Sequence, residues 1–403
     1  MRKLIGFIAA SVLVLSAAGC APGGAGGTAP APTPAPAQDA GAADENVEET
    51  PAAAGGPIRI ALAAPLTGGL SNFGEQFRQG VEFKAHEVNS AGGINGRMVE
   101  IVSFDDRNDP AEAASIAQMI AADETILGVV GHFSSSCIFA ATPIYQDASV
   151  AMITPSASHP ALTQDNDVIF RMWTSIGVYA PLLADLAVSE HGHMNIAMLT
   201  AQNDLGITIR DYFSARAVEL GATIVADELF NDGDMDFRTQ LTNIRGASPD
   251  ALAIFGWFAE GIIIIQQARA LGIDVQLYGT GTFYEEQFVE IAGADAEGMF
   301  AINEFVADDP RDSAREFIEN FMVVFPDIVP GNYHGNAYDA LAALLHAYQH
   351  SDGTRQGIVQ ALHNLAGFQG ITGELTFADQ EVIKPQLYIQ MRDGQWRFVR
   401  EAS

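Results

Sequence analysis

From Pro57 onward, short runs of β-branched and other apolar residues alternate with stretches whose apolar positions recur at helical spacing. That is the pattern of βα units feeding a parallel sheet. Strands are predicted at 58–64, 98–104, 126–130 and 150–153, with helices at 74–89, 111–122 and 135–146 between them. Asp109 ahead of Pro110 marks a helix start, an N-cap followed by proline at the first helical position. After Arg171 the rhythm begins again, with strands at 195–199, 223–229, 251–255 and 275–278. Two open sheets of this kind exceed one core of ordinary size, so the expectation is two α/β lobes with a cleft between them. The last third predicts helices at 311–325, 336–350 and 355–364, and then two short strands at 386–391 and 396–400. Asp393-Gly394 between those strands is a hairpin signal.

Ahead of this body the pattern changes. Arg2 and Lys3 precede an apolar run from Leu4 to Leu15, then Ser16-Ala17-Ala18-Gly19-Cys20. The run holds about a dozen residues, short of the roughly 20 that a bilayer span takes, and residues 1–19 read as an export signal. The segment resembles a bacterial lipoprotein signal, although Ala17 stands where such signals often carry Leu. The resemblance implies cleavage before Cys20, lipidation of that residue, and an extracytoplasmic chain anchored to a bacterial membrane. An uncleaved anchor helix is the alternative. Residues 20–56, mostly Ala, Pro and Gly with a late acidic run, cannot bury enough apolar surface to fold and are expected to form a disordered tether.

Charge removes several partners. The 403 residues include 50 Asp plus Glu against 20 Lys plus Arg, a net charge of -30, which leaves no basic patch for nucleic acid. Lys3, Lys84 and Lys384 are the only lysines and none follows a Walker glycine run, so ATP chemistry would have to come from a partner. If Cys20 is lipidated, Cys137 has no disulfide partner; it is expected to be a small buried residue rather than a catalytic thiol. His191-Gly192-His193 reads as a polar connection, His334 as a surface residue, and the acidic run at 232–236 lacks the glycine a calcium loop needs, since Phe237 follows it. No metal and no cofactor are expected.

In open α/β sheets ligands bind beyond the carboxyl ends of the strands. There the predicted third strand runs into Gly131-His132-Phe133-Ser134-Ser135-Ser136, three hydroxyls at a helix start. Unpaired helix amides, the helix dipole and the hydroxyls suit an anion, a carboxylate above all. The plain alternative is that these serines cap the helix. The next strand ends in Thr154-Pro155-Ser156-Ala157-Ser158, a second hydroxyl-bearing turn, and adjacent parallel strands would put both turns on one wall. The first strand ends in Pro65-Leu66-Thr67-Gly68-Gly69, with Phe73 just beyond.

Those turns, together with Pro65 to Gly74, Ala91-Gly92-Gly93-Ile94-Asn95-Gly96, Gln267 to Gly272, Tyr338-Asp339-Ala340 and Gly370 to Phe377, resemble the leucine/isoleucine/valine-binding proteins that serve ABC importers. The resemblance runs from about Ile58 to the C-terminus. It implies a type I periplasmic-binding fold: two Rossmann-like lobes with parallel-core sheets, joined by a three-segment hinge. Lobe one would be 57–176 plus 305–382, and lobe two 177–304 plus 383–403. The ligand carboxylate would meet Ser135 and Ser136 together with the turn of Ser156 and Ser158. Aromatic and apolar contacts would come from the positions of Phe73, Trp257 and Leu205, the first and last of which carry tyrosine in the family. The acidic residue that holds the ligand ammonium aligns with Gly281, so an acceptor would have to come from elsewhere; Asp204, Glu260, Glu285 and Glu286 are candidates.

The expected function is therefore ligand capture without chemistry: an extracytoplasmic, lipid-anchored solute-binding component that delivers a small carboxylate-bearing ligand to the permease subunits of an ABC importer. A branched-chain or other neutral amino acid is the first expectation, and an aromatic or aliphatic acid or an amide the second. The rival readings are a ligand sensor acting on a membrane partner and an extracytoplasmic hydrolase. The latter lacks a visible orienting carboxylate for His132, its nearest general base.

Overall fold

The computed structural model describes residues 55–402. The signal, Cys20 and nearly all of the tether expected above lie outside those residues. The chain opens with β1 (Ile58–Ala64), α1 (Ser71–Ser90), β2 (Val99–Asp105), α2 (Pro110–Ala122), β3 (Ile126–Gly131), α3 (Ser135–Asp147), β4 (Ala151–Thr154) and β5 (Ile169–Arg171). It crosses to a second lobe for α4 (Ile176–Asp185), β6 (Asn195–Ala201), α5 (Asp204–Glu219), β7 (Thr223–Phe230), α6 (Arg238–Gly246), β8 (Ala251–Phe255), α7 (Phe258–Ala270), β9 (Gln276–Thr280), α8 (Glu286–Ala292) and β10 (Phe300–Asn303). It returns for α9 (Asp312–Val324), α10 (Asn332–Gln349), α11 (Arg355–His363), β11 (Phe368–Gly370), β12 (Gly373–Ala378) and β13 (Glu381–Ile383). A third crossing leads to β14 (Gln386–Arg392) and β15 (Gln395–Ala402).

The first sheet runs β11-β12-β13-β5-β4-β3-β1-β2 and the second β15-β14-β10-β9-β8-β6-β7, each with a parallel core and antiparallel strands at one side. The two-lobed α/β architecture is the one the sequence predicts. Local signals explain much of it. The interior of β1 is buried almost throughout, as a strand covered on both faces must be. Asp109 caps α2 by accepting from the amides of Ala111 and Glu112. Asp393 and Gly394 both take positive φ, 53° and 68°, which a two-residue turn between β14 and β15 requires.

Two expectations are corrected. α10 starts at Asn332, a full turn before the predicted 336. His334 is not on the surface: it is buried between α10 and α1, its Nε2 2.9 Å from Gln79 Oε1, and burial lowers its pKa to about 3.

The three crossings meet at one carboxylate. Glu304, just past β10, accepts from the Thr174 amide at 2.6 Å, Asn336 Nδ2 at 2.7 Å and Lys384 Nζ at 2.9 Å. Thr174 follows β5 and Lys384 precedes β14, so segments far apart in sequence share this buried ion pair. Burial pulls the Lys384 pKa below the usual lysine value, while the Glu304 charge opposes that shift.

Candidate functional site

A cleft of about 470 Å³ opens between the lobes at the carboxyl ends of β3, β4, β6, β8 and β9. Its geometry starts at Gly131. There φ is +138°, and a Cβ would lie 2.0 Å from the Ala63 carbonyl oxygen on β1, so only glycine lets β3 turn at this point. His132 then points inward, its Nδ1 2.6 Å from Asp106 Oδ2 and its Nε2 3.1 Å from the Tyr145 hydroxyl, all three side chains buried. An orienting carboxylate therefore does exist for His132, contrary to the sequence expectation. The imidazole nevertheless faces a tyrosine beneath the cleft, and its side chain is fully inaccessible.

Phe133 and Ser134 to Ser136 face the cleft. Ser134 is the N-cap residue of α3, yet its side chain caps no amide; its hydroxyl lies 3.1 Å from that of Ser136. The hydroxyls are thus not spent as Ser134 capping would require. In the second turn the Thr154 hydroxyl donates to the His132 carbonyl at 3.0 Å and accepts from the Ala157 amide at 3.2 Å. Ser156 donates to the Phe133 carbonyl at 2.6 Å, so its proton stitches the two turns together and only its lone pairs remain for a ligand. Ser135, Ser136, Ser156 and Ser158 all line the one cleft. Cys137, one residue further along α3, is buried, and burial raises its thiol to about 11.

The remaining walls are aromatic. Phe133, Trp173 and Tyr333 line the lobe-one side, Tyr179 lies just past the first crossing, and Trp257 and Leu205 belong to the second lobe. Phe73 is buried and is not among the residues lining the cleft; it stacks on Phe133 with ring centroids 4.9 Å apart, meets Tyr333 edge-on at 5.1 Å and lies 6.2 Å from Trp257. Phe133, stacked on Phe73, does line the cleft. Trp173 stacks on Tyr333 at 5.3 Å, and Phe133 comes within 6.4 Å of Trp257 across the cleft. Trp173, Tyr179 and Tyr333 were not singled out from the sequence. Two of them lie near a crossing and the third in the helical turn that periodicity missed.

Gly281 forms part of the floor. A Cβ there would lie 2.5 Å from Asn303 Oδ1, so no acidic side chain fits unless Asn303 moves. Asn303 Nδ2 donates to the Phe305 carbonyl at 2.8 Å, and its oxygen accepts from Asn332 Nδ2. Thr280 and Thr282 pair at 2.9 Å, with Thr282 donating to the Gly256 carbonyl at 2.8 Å. Of the four acidic candidates, Asp204 alone lines the cleft. Glu260 braces a loop by accepting from the Gly233 amide at 2.8 Å, and Glu286 is exposed. Glu285 is set against Gln76 of the other lobe, and burial raises its carboxyl to about 7. Among the described residues no cluster of three or more His, Cys, Asp or Glu is placed to hold a metal, and no helix is long and apolar enough to cross a membrane.

Residues 57–395 match the family model described as periplasmic binding protein. The leucine-, isoleucine-, valine-, threonine-, and alanine-binding protein of Pseudomonas aeruginosa is 31% identical over 64% of this chain and 69% of its own length. Among solved structures, a branched-chain amino acid transporter substrate binding protein of Streptococcus pneumoniae, in complex with isoleucine, is 27% identical with a TM-score of 0.78, covering 85% of this chain and 99% of that one. A leucine binding protein of Thermotoga maritima has the same TM-score at 25% identity, covering 86% and 99%. With its serine-edged cleft between two parallel-core lobes, the chain belongs to the periplasmic binding protein family, in its leucine/isoleucine/valine-binding group.

Proposed function

We propose that this protein is the extracytoplasmic solute-binding component of an ABC importer, tethered by a lipid on Cys20. It captures a small carboxylate-bearing ligand, a branched-chain or other neutral amino acid, between lobes divided at 176/177, 304/305 and 382/383. The observation that carries this reading is the start of α3: hydroxyls of Ser134 to Ser136 face the cleft without Ser134 capping the helix, beside the second turn of Ser156 and Ser158. Helix amides and hydroxyls together match a carboxylate. The rings of Phe133, Trp173, Tyr333 and Trp257 and the Leu205 side chain suit an apolar body. Contacts from both lobes stabilise the closed state, so ligand binding and closure are coupled.

The absence of a side chain at Gly281 favours a second reading of the ligand, an aromatic or aliphatic acid or amide, within the same cleft and the same transport role. Calorimetric titration of the soluble body with amino acids, aromatic acids and amides tests both. Lack of binding across all three panels overturns solute capture. Ser135→Ala is expected to weaken a carboxylate ligand by about 1 to 3 kcal/mol; unchanged affinity would reduce Ser135 to a helix-start residue.

A further inference from the structure

The charges around the cleft do not suit a bare anion. No lysine and no arginine lines it. His159 does, but its Nδ1 accepts from the Ala161 amide at 3.1 Å, which an imidazolium cannot do, so that ring brings no charge. Three carboxylates line the same space. Glu304 is opposed by Lys384, 2.9 Å away. Asp204 and Asp232 have no basic side chain of the cleft against them, and Asp232 accepts from an uncharged donor, Asn203 Nδ2, at 2.7 Å. A small anion bound for the serine turns would thus enter past two uncompensated carboxylates, in a molecule of net charge -30. A ligand that carries a positive centre of its own removes that opposition.

That positive centre has no free buried carboxylate to rest on. Gly281 leaves no room for one, since a Cβ there would lie 2.5 Å from Asn303 Oδ1, and Glu304 is already neutralised. Thr280 pairs with Thr282, Thr282 donates to the Gly256 carbonyl, and Asn303 Oδ1 accepts from Asn332 Nδ2. A primary ammonium brings three N–H donors that this floor is poorly furnished to meet. The walls offer ring surface instead. Trp173 stacks on Tyr333 with centroids 5.3 Å apart, Tyr333 is 5.8 Å from Phe133, and Phe133 is 6.4 Å from Trp257, so these rings run as one continuous lining from lobe one into lobe two. A cation over an aromatic face is attracted by the ring quadrupole, and a quaternary ammonium has no N–H left to satisfy.

We propose that the ligand is a betaine, a small acid whose positive centre is a fully alkylated ammonium: the serine turns take its carboxylate, and the rings of Phe133, Trp173, Tyr333 and Trp257 take its cation. This rests on the carboxylate reading of the serine turns and narrows the neutral amino acids to N-alkylated ones. The cleft of about 470 Å³ has room for an alkyl spacer between the two charges. Trp257 belongs to lobe two and the other three rings to lobe one, so holding the cation draws on both lobes.

The test compares carboxylates of one shape that differ in one charge. Trimethylglycine is set against tert-butylacetate, and trimethylaminobutyrate against the acid in which carbon replaces its nitrogen, with leucine alongside. Each is titrated calorimetrically into wild type, Trp257→Leu and Asp204→Asn. Wild type is expected to bind at least one betaine about tenfold or more tighter than its uncharged isostere and than leucine. In Trp257→Leu the preference over the isostere should shrink by about threefold or more, and in Asp204→Asn by less than that. A preference below about threefold in both pairs, or leucine bound more tightly than both betaines, overturns the inference from wild type alone, whether or not the variants fold. An undiminished preference in a folded Trp257→Leu overturns it as well, and its collapse in Asp204→Asn would put the cation on a carboxylate rather than on rings. If leucine or an isostere binds and the betaines do not, this inference alone fails. If none of the five compounds binds wild type, the carboxylate reading itself fails and takes the inference with it.

Discussion

Gly131 shows how one residue type sets the candidate site. Its φ of +138° and the 2.0 Å approach that a Cβ would make to the Ala63 carbonyl leave no room for any side chain, and the next five residues supply His132, Phe133 and the three serines. Gly131→Ala must shift the β1 and β3 backbones or open the turn. It is expected to cost roughly 2 to 4 kcal/mol in chemical denaturation; a loss below about 0.5 kcal/mol would mean the turn is softer than its geometry implies. Cys137, the third residue of α3, provides a contrast. Burial raises its thiol to about 11, so almost no thiolate is present at pH 8. A thiol reagent should label the native protein far more slowly than the unfolded chain, and equal rates would contradict the burial.

At the scale of elements, the hinge depends on a buried charge pair whose members come from two crossings and whose amide donor comes from the third. Lys384→Met leaves the Glu304 carboxylate buried without its cation and is expected to destabilise by about 3 to 5 kcal/mol; adding Glu304→Gln should restore much of that loss. Additive losses in this double-mutant cycle would show that the pair is not coupled. Nothing in the sequence announces the pair, since Glu304 and Lys384 are paired only by the return of the chain. Long, evenly apolar strands such as β1 and β8 were legible because burial on both faces writes itself into a continuous run. β5, β10 and β13 were not. Each is a segment of three or four residues whose strand character comes from its neighbours in the sheet rather than from its own composition. The serine turns were visible because hydroxyls after a strand-ending glycine are a local pattern. Asn332 and Tyr333 were hidden because α10 is buried around almost its whole circumference, so helical periodicity is weak where the helix begins.

At the scale of the whole molecule, a carboxyl of one lobe lies against the other. Glu285, immediately before α8, meets Gln76 of α1, with the ring of Tyr333 close enough for its own ionisation to feel the carboxylate. With the lobes in contact there, burial raises Glu285 to about 7. With the lobes apart the same carboxyl faces water, and its pKa returns toward the ordinary glutamate value of about 4.3. The closed state therefore holds a proton that the open state has released between those two values. The sign follows by linkage: closure is least hindered below about pH 4.5, becomes progressively less favourable as pH rises toward 7, and does not worsen further above it. Ligand affinity should accordingly fall by roughly ten- to hundredfold between about pH 5 and 7.5 and then level off. The field of the net charge of -30 also varies with pH, but salt screens it beyond roughly 10 Å, so the fall should persist at 0.5 M salt. Glu285→Gln keeps the shape and removes the titration, and its affinity should change less than threefold over the same range. Titrations of wild type and Glu285→Gln across that range, with a zwitterionic or permanently charged ligand whose own ionisation is constant there, decide the matter. Parallel pH profiles for the two proteins would show that the lobes close without confining this carboxyl.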